Sequence, residues 1–210
     1  SWPIWDGMTD KPILFPLPSH RPEVVEFLAT RRSNLAKVMS GPGPDIVTRD
    51  KILEIGARVP DHRKLAPWRF VIFEGNARAD FGQYIASAFM AENPDAPADR
   101  ALFEGGRLNR APLVIAVVSA PVECPRGTPK WEQELSSGAA CFNLCLAAQS
   151  LGYGAQWLTE WYAYNDGIND VLGLTERENV AGYIYIGTPE MPASERARPR
   201  ILQKTTYWGV

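Results

Sequence analysis

The sequence predicts one domain in which helices and strands are mixed, and three features predict it. Its 210 residues fit one undivided domain. The run Pro112–Val118 is continuously apolar, the mark of a strand buried on both faces. A helix ending near Leu151 is apolar nearly all round from Gly138 onward, so it lies centrally, in the core or between subunits.

The elements follow in order. Ser1–Ser19 is rich in proline and aromatic residues without a clear period, and reads as an extended arm ahead of a single domain over residues 20–210. Pro22 starts a helix through about Arg31, with Val24, Val25, Phe27 and Leu28 as its apolar part. Gly41-Pro42-Gly43-Pro44 is a rigid turn whose prolines lack the N–H groups a phosphate loop needs. Thr48 is the expected N-cap of a helix that ends at Val59, where Pro60 stops it. Trp68–Glu74 is aromatic and β-branched, which suits a buried strand. Asn76 is expected to cap a helix to about Ala91, and a Pro/Ala loop leads to a short helix ending near Asn109. That segment is a possible lid.

Thr128 is the expected cap of the central helix, with Pro129 at its first position and Glu132 and Glu134 near its positive end. Gly152 and Gly154 end it. Ala155–Leu158 reads as a short strand, and a polar loop at Asn165-Asp166 opens a short helix to Leu172. Val180–Ile186 is the last strong strand, closed by Gly187-Thr188-Pro189. The tail from Glu190 onward is basic and extended, with Arg196, Arg198 and Arg200.

Composition narrows the function classes. The chain is 45% hydrophobic and 22% charged, with a net charge of -2, so nothing draws it generally to nucleic acid or an anionic membrane. Any basic function must be local. The longest apolar run, Gly138–Leu151, is too short to span a bilayer, and no basic-then-apolar signal opens the sequence. Three cysteines, an odd and sparse set, argue for a reducing compartment, so a cytoplasmic location is expected. Cys141 and Cys145 lie one turn apart on an apolar helix with no histidine nearby, which favours packing over metal binding. Seven Trp and seven Tyr suit either a large core or a pocket for flat molecules.

Common catalytic patterns are missing. Gly152-Tyr153-Gly154 follows a helix and precedes a strand, the wrong order for a dinucleotide fingerprint. No P-loop and no Gly-x-Ser-x-Gly elbow occurs. Two histidines, His20 and His62, cannot form a histidine-rich metal site. Three groups remain. Arg31, Arg32 and Ser33 close a helix, either offsetting its dipole or clamping a phosphate. Arg58, His62, Arg63 and Lys64 form a cationic loop between a helix and a strand, either solvated or ligand-holding. Trp157, Trp161, Tyr162 and Tyr164 supply flat surface. Clamp, cation and flat wall together are what a flavin mononucleotide (FMN) needs: arginines for its phosphate, a cation for charge gained on reduction, and apolar walls for its ring.

The order of motifs resembles the FMN-dependent nitroreductase family, in particular a short bacterial branch of NAD(P)H nitroreductases. The matching stretches are Phe27–Ser33, Val59–Phe70, Arg110–Ile115, Trp131-Glu132-Gln133-Glu134 and Tyr185–Pro189. The first two at this separation are the more specific. The resemblance implies an α+β nitroreductase-like sandwich, a mostly antiparallel central sheet flanked by helices, built as an intertwined homodimer with FMN at the interface. It implies that Arg31, Arg32 and Ser33 bind FMN from one chain, that Arg58 and His62 reach it from the other, and that Trp157, Leu158 and Thr159 border the flavin. A tail arginine, Arg198 or Arg200, is a further phosphate candidate. The implied activity is ping-pong transfer from NAD(P)H to a small acceptor such as a nitroaromatic or quinone, with the chemistry on FMN and no essential protein acid or base. The family fold also supports dehalogenation, enoate reduction and flavin breakdown. A non-catalytic flavin-storing dimer is the alternative of a different class. Asp61, His62 and Lys64 depart from the small polar residues and asparagine of many members, which bears on substrate.

Overall fold

The structure, a computed structural model, describes residues 14–209. The arm expected over Ser1–Ser19 lies outside the described residues up to residue 13. Packing divides the chain after Arg31. In the first unit, helix α1 spans Pro22–Thr30, with proline in its first turn and Glu23 at its positive end. Thr30 donates its hydroxyl back to the Glu26 carbonyl (2.7 Å), and Arg31 caps the helix through its N–H to the Phe27 carbonyl. None of its residues is buried.

The second unit contains β1 (Met39–Ser40), α2 (Ile46–Gly56), β2 (Trp68–Glu74), α3 (Ala77–Glu92) and α4 (Ala98–Gly105). It continues with β3 (Leu113–Ser119), α5 (Lys130–Ser150), β4 (Gly154–Leu158), α6 (Asp166–Val171) and β5 (Asn179–Pro189). The strands form one sheet in the order β1-β5-β3-β2, with β4 also on β5, and every pairing is antiparallel. The antiparallel α+β sandwich is therefore what the molecule adopts.

Alternation along β3 divides the core. Val114 and Ala116 face one side with Tyr183, Tyr185, Phe81 and Ile85. Ile115 and Val117 face the other with Ile184, Cys141, Leu144 and Ile52. Helices α2 and α5 thus cover one face and α3 the other. The α3–α4 contact rests on two glycines: a Cβ on Gly82 would collide with the Gly105 carbonyl oxygen. No helix among the described residues is long and apolar enough to cross a membrane.

Several expectations need correction. The cap of α2 is Asp45, whose carboxylate accepts from the Thr48 N–H (2.8 Å); Thr48 is the third helical residue. That helix ends at Gly56, before Val59, because the chain tightens into a turn in which Arg58 N–H bonds the Ile55 carbonyl. Thr128 does not cap α5; its hydroxyl donates to Cys124 Sγ (3.3 Å), and Pro129 occupies the cap. Strand β2 is only half-buried along most of its length, because it sits at the sheet edge. Gly187-Thr188-Pro189 does not close β5 but extends it, pairing with β1, a strand the sequence did not announce.

Candidate functional site

The cationic loop is built on α5. Ser136 donates to the Pro60 carbonyl (2.7 Å) and receives the Trp68 indole N–H (3.2 Å), while Ser137 donates to the Pro67 carbonyl (2.9 Å). Asp61 organises the turn from inside: its carboxylate accepts from the N–H groups of Leu65 (3.0 Å) and Ala66 (2.8 Å). These bonds hold Arg63, Lys64 and Ala66 at positive φ, a conformation that costs non-glycine residues energy. The exposed side chains that result are aimed by the backbone. His62 Nδ1 lies 2.7 Å from Glu132 Oε2, so Glu132 meets a specific partner as well as the helix dipole. Arg58 is exposed, and its carbonyl accepts from Asn143 of α5.

The segment after Arg31 is fixed at the other end of α5. Gln149 donates to the Arg32 carbonyl, Asn34 N–H bonds the Ala155 carbonyl (3.1 Å), and Ala36 N–H bonds Gln156 Oε1 (2.6 Å). Arg32 and Ser33 therefore run beside the start of β4. The Arg32 guanidinium meets the tail, donating to the Ser194 carbonyl (2.9 Å) and lying 3.4 Å from the Glu195 carboxylate. Glu195 also pairs with Arg198 (3.0 Å), which places that tail arginine near Arg32. The Arg196 N–H, then Arg198 and Arg32, hold the Glu195 carboxyl below its usual range.

At the far end of β4, Trp157 is 40% exposed although its ring is fixed. Its indole N–H donates to the Ala181 carbonyl (3.1 Å), and a Cβ on Gly182 would collide with the ring. The ring tip lies against Gly138 of α5. An exposed, immobilised aromatic ring is a ready wall for a planar molecule. Leu158 packs inward on the core, and Thr159 is half-buried at the strand end.

The structure thus sets the Arg32-Ser33 segment beside the start of β4 and Trp157–Thr159 at its far end, and sets Arg58 and His62 at separate points along α5, beside Asn143 and Glu132. Within one chain His62 and Arg32 lie far apart. Along α5 the rise from Glu132, at His62, to Gln149, at Arg32, is about 25 Å. Two surface concavities, about 570 Å³ beside Pro44 and about 340 Å³ beside Cys124, include none of these residues.

Sequence reasoning missed a buried polar network just beyond Thr159. Glu104 is 1% exposed; it accepts from Arg107 Nε (2.9 Å), Arg107 Nη2 (3.0 Å) and the Trp161 indole (2.8 Å). Burial pushes its carboxyl up, but these partners outweigh burial and hold it below the usual range. Arg110 Nη2 donates to Glu160 Oε1 (2.7 Å) and to the Tyr185 hydroxyl (3.1 Å), which meets the Tyr162 hydroxyl at 2.5 Å. Burial works against the Arg110 charge, yet Tyr185 and Glu160 prevail and raise its pKa. Glu160 itself has φ 63° and ψ 169°, a region that is nearly glycine-only and costs about 1–3 kcal/mol. The sequence signals were Arg110 in the stretch Arg110–Ile115, Tyr185 in Tyr185–Pro189, and the aromatic residues Trp161 and Tyr162.

Known proteins resemble this chain along most of its length. The model of the Nitroreductase family matches residues 29–188. The Escherichia coli K12 protein named "Putative NAD(P)H nitroreductase YdjA" is 33% identical over 173 residues, which is 82% of this chain and 91% of the relative. Among solved structures, a nitroreductase-like family protein from Bacillus cereus superposes with a TM-score of 0.77 at 21% identity, over 94% of this chain and 100% of that one. A nitroreductase with bound FMN from Bacteroides fragilis superposes with a TM-score of 0.60 at 21% identity, over 89% and 96% of the two chains. These structural likenesses concern the fold.

Proposed function

Because this chain belongs to the nitroreductase family, we propose that it is an NAD(P)H-dependent oxidoreductase that carries FMN and reduces a small acceptor, such as a nitroaromatic or a quinone, by ping-pong. The observation that carries this reading is the exposed, fixed indole of Trp157 near the end of β4, a strand whose start is bonded by the segment that follows Arg32-Ser33, so that one strand links a wall to an anion clamp. The donor set fits the cofactor: two guanidiniums and a hydroxyl for a phosphate, an aromatic ring for a planar ring system. FMN, when bound, supplies the hydride and electron chemistry.

The protein's own residues bind, wall and shield. Arg31, Arg32 and Ser33 take the phosphate, and Trp157, Leu158 and Thr159 border the ring. For Arg32 this means exchanging the Glu195 carboxylate for a phosphate, which offers more charge and more acceptors to a guanidinium. Arg58 and His62 serve the flavin of a second copy, as the family resemblance implies; for His62 the reason is also geometric, since a phosphate held at Arg32 lies a helix length away in the same chain. The homodimer this requires is supported by an exposed apolar stripe on α5, with Trp131, Leu135 and Phe142 on one side of the helix.

Initial-rate kinetics with NAD(P)H and a nitroaromatic or quinone test the proposal. Parallel double-reciprocal lines are expected. Flavin-loaded protein that shows no acceptor-dependent NAD(P)H consumption would favour a storage role instead.

A further inference from the structure

We propose that Glu160 is a positioning residue that sets the backbone of the Trp157–Thr159 wall by holding a strained conformation with its carboxylate clamped between Arg107 and Arg110. The inference rests on the reading of Trp157–Thr159 as the border of the flavin ring.

Three observations converge. Glu160 directly follows the wall segment and occupies φ 63° and ψ 169°, which a side chain with a Cβ avoids. Such a conformation persists only where the surroundings over-determine it, and here they do. Its carboxylate lies 2.7 Å from Arg110 Nη2 and 3.5 Å from Arg107 Nη1, with the carboxylate and both arginines largely buried. Those arginines are themselves fixed. Arg107 is held by Glu104, and Arg110 donates to the Arg107 carbonyl (2.8 Å) and to the buried Tyr185 hydroxyl.

The chain beyond Glu160 is equally rigid. The Glu160 carbonyl accepts from Ala163 N–H (3.3 Å), and Tyr162 is fully buried against Tyr185. Glu160 is therefore the joint between a buried anchor and the exposed wall. With the chain after Glu160 fixed, an ordinary extended conformation at Glu160 would carry Thr159 in a different direction. The ion pairs alone could be structural ballast, but ballast does not require a strained residue at that joint.

The test compares FMN-loaded wild type with Glu160→Ala, Glu160→Gln and Glu160→Gly. Alanine and glycine lose the same carboxylate, so their difference reports the backbone alone. Glu160→Ala and Glu160→Gln should shift the visible absorbance and circular-dichroism bands of the bound flavin and lower kcat about ten- to hundredfold, as misplaced walls do. Glu160→Gly should keep bands close to wild type and lose clearly less kcat, because glycine adopts this conformation without strain. A loss of melting temperature shared by all three, with unshifted flavin bands, would mean a merely structural role and overturn the inference. So would Glu160→Gly as impaired as Glu160→Ala. Should Glu160→Ala not fold, Glu160→Gln stands in for it with the same two outcomes. Wild type that takes up no FMN overturns the flavin reading and this inference together; flavin-binding wild type with an unshifted Glu160→Ala or Glu160→Gln overturns this inference alone.

Discussion

Two of the molecule's cationic clusters are built in opposite ways. In the loop from Arg58 to Lys64 the backbone is bonded and the side chains are exposed; the His62 side chain is 52% exposed. In the cluster of Arg107 and Arg110 the side chains are largely buried, and each guanidinium meets a carboxylate. A buried charge must be neutralised where it sits, so the inner cluster is committed to holding geometry. Cations at the surface retain capacity for an incoming anion, so the outer cluster suits recognition. The same residue types thus serve structure or binding according to depth.

The sharpest way to break this contrast is at Glu104. Glu104→Gln removes the charge from a buried carboxylate and should cost about 3 kcal/mol, the scale of a broken buried pair, read by urea unfolding. The same group gives a pH signature. Its folded pKa lies below the ordinary glutamate value of 4.5, so the folded state binds protons less readily than the unfolded state. The stabilisation is therefore present above pH 4.5 and is lost as pH falls through the lower folded value. Acid melts should show a shallower decline in Glu104→Gln than in wild type.

Gly82→Ala attacks the support of the inner region, because its Cβ meets the Gly105 backbone rather than a yielding side chain. A loss of about 2–3 kcal/mol is expected, with flavin binding retained in the folded fraction. For the binding region the order reverses. Arg31→Ala or Arg32→Ala should weaken FMN binding by about 1.5–3 kcal/mol, the worth of a charge-assisted bond, with little change in melting temperature. An unchanged affinity would return Arg31 to the helix end and Arg32 to its contact with the tail. The smallest effect belongs to Glu132→Gln, which meets an exposed partner and should move stability by less than about 1 kcal/mol.

What the sequence disclosed follows the range of the interactions. Strand β3 and helix α5 were legible because their burial is written in consecutive residues. The cap of α2 was misplaced by three residues because both Asp45 and Thr48 suit such a position, and only geometry shows which side chain accepts. Strand β1 was invisible, since two residues carry no period and their pairing with Thr188 and Pro189 is remote in sequence. Trp157 was legible as an aromatic residue, but its fixed exposure depends on the missing side chain at Gly182 across the sheet. The inner network was barely legible: Arg110 stood in a matching stretch, but Glu104, Arg107 and Glu160 read as ordinary charges until the fold buries them together.

Anaerobic addition of NADPH or NADH to the purified protein, followed by absorbance, tests the central claim most directly. The account predicts a flavin spectrum that bleaches on addition of the nucleotide. A colourless protein that also takes up no added FMN would contradict it, and the clamp and the cationic loop would then be structural.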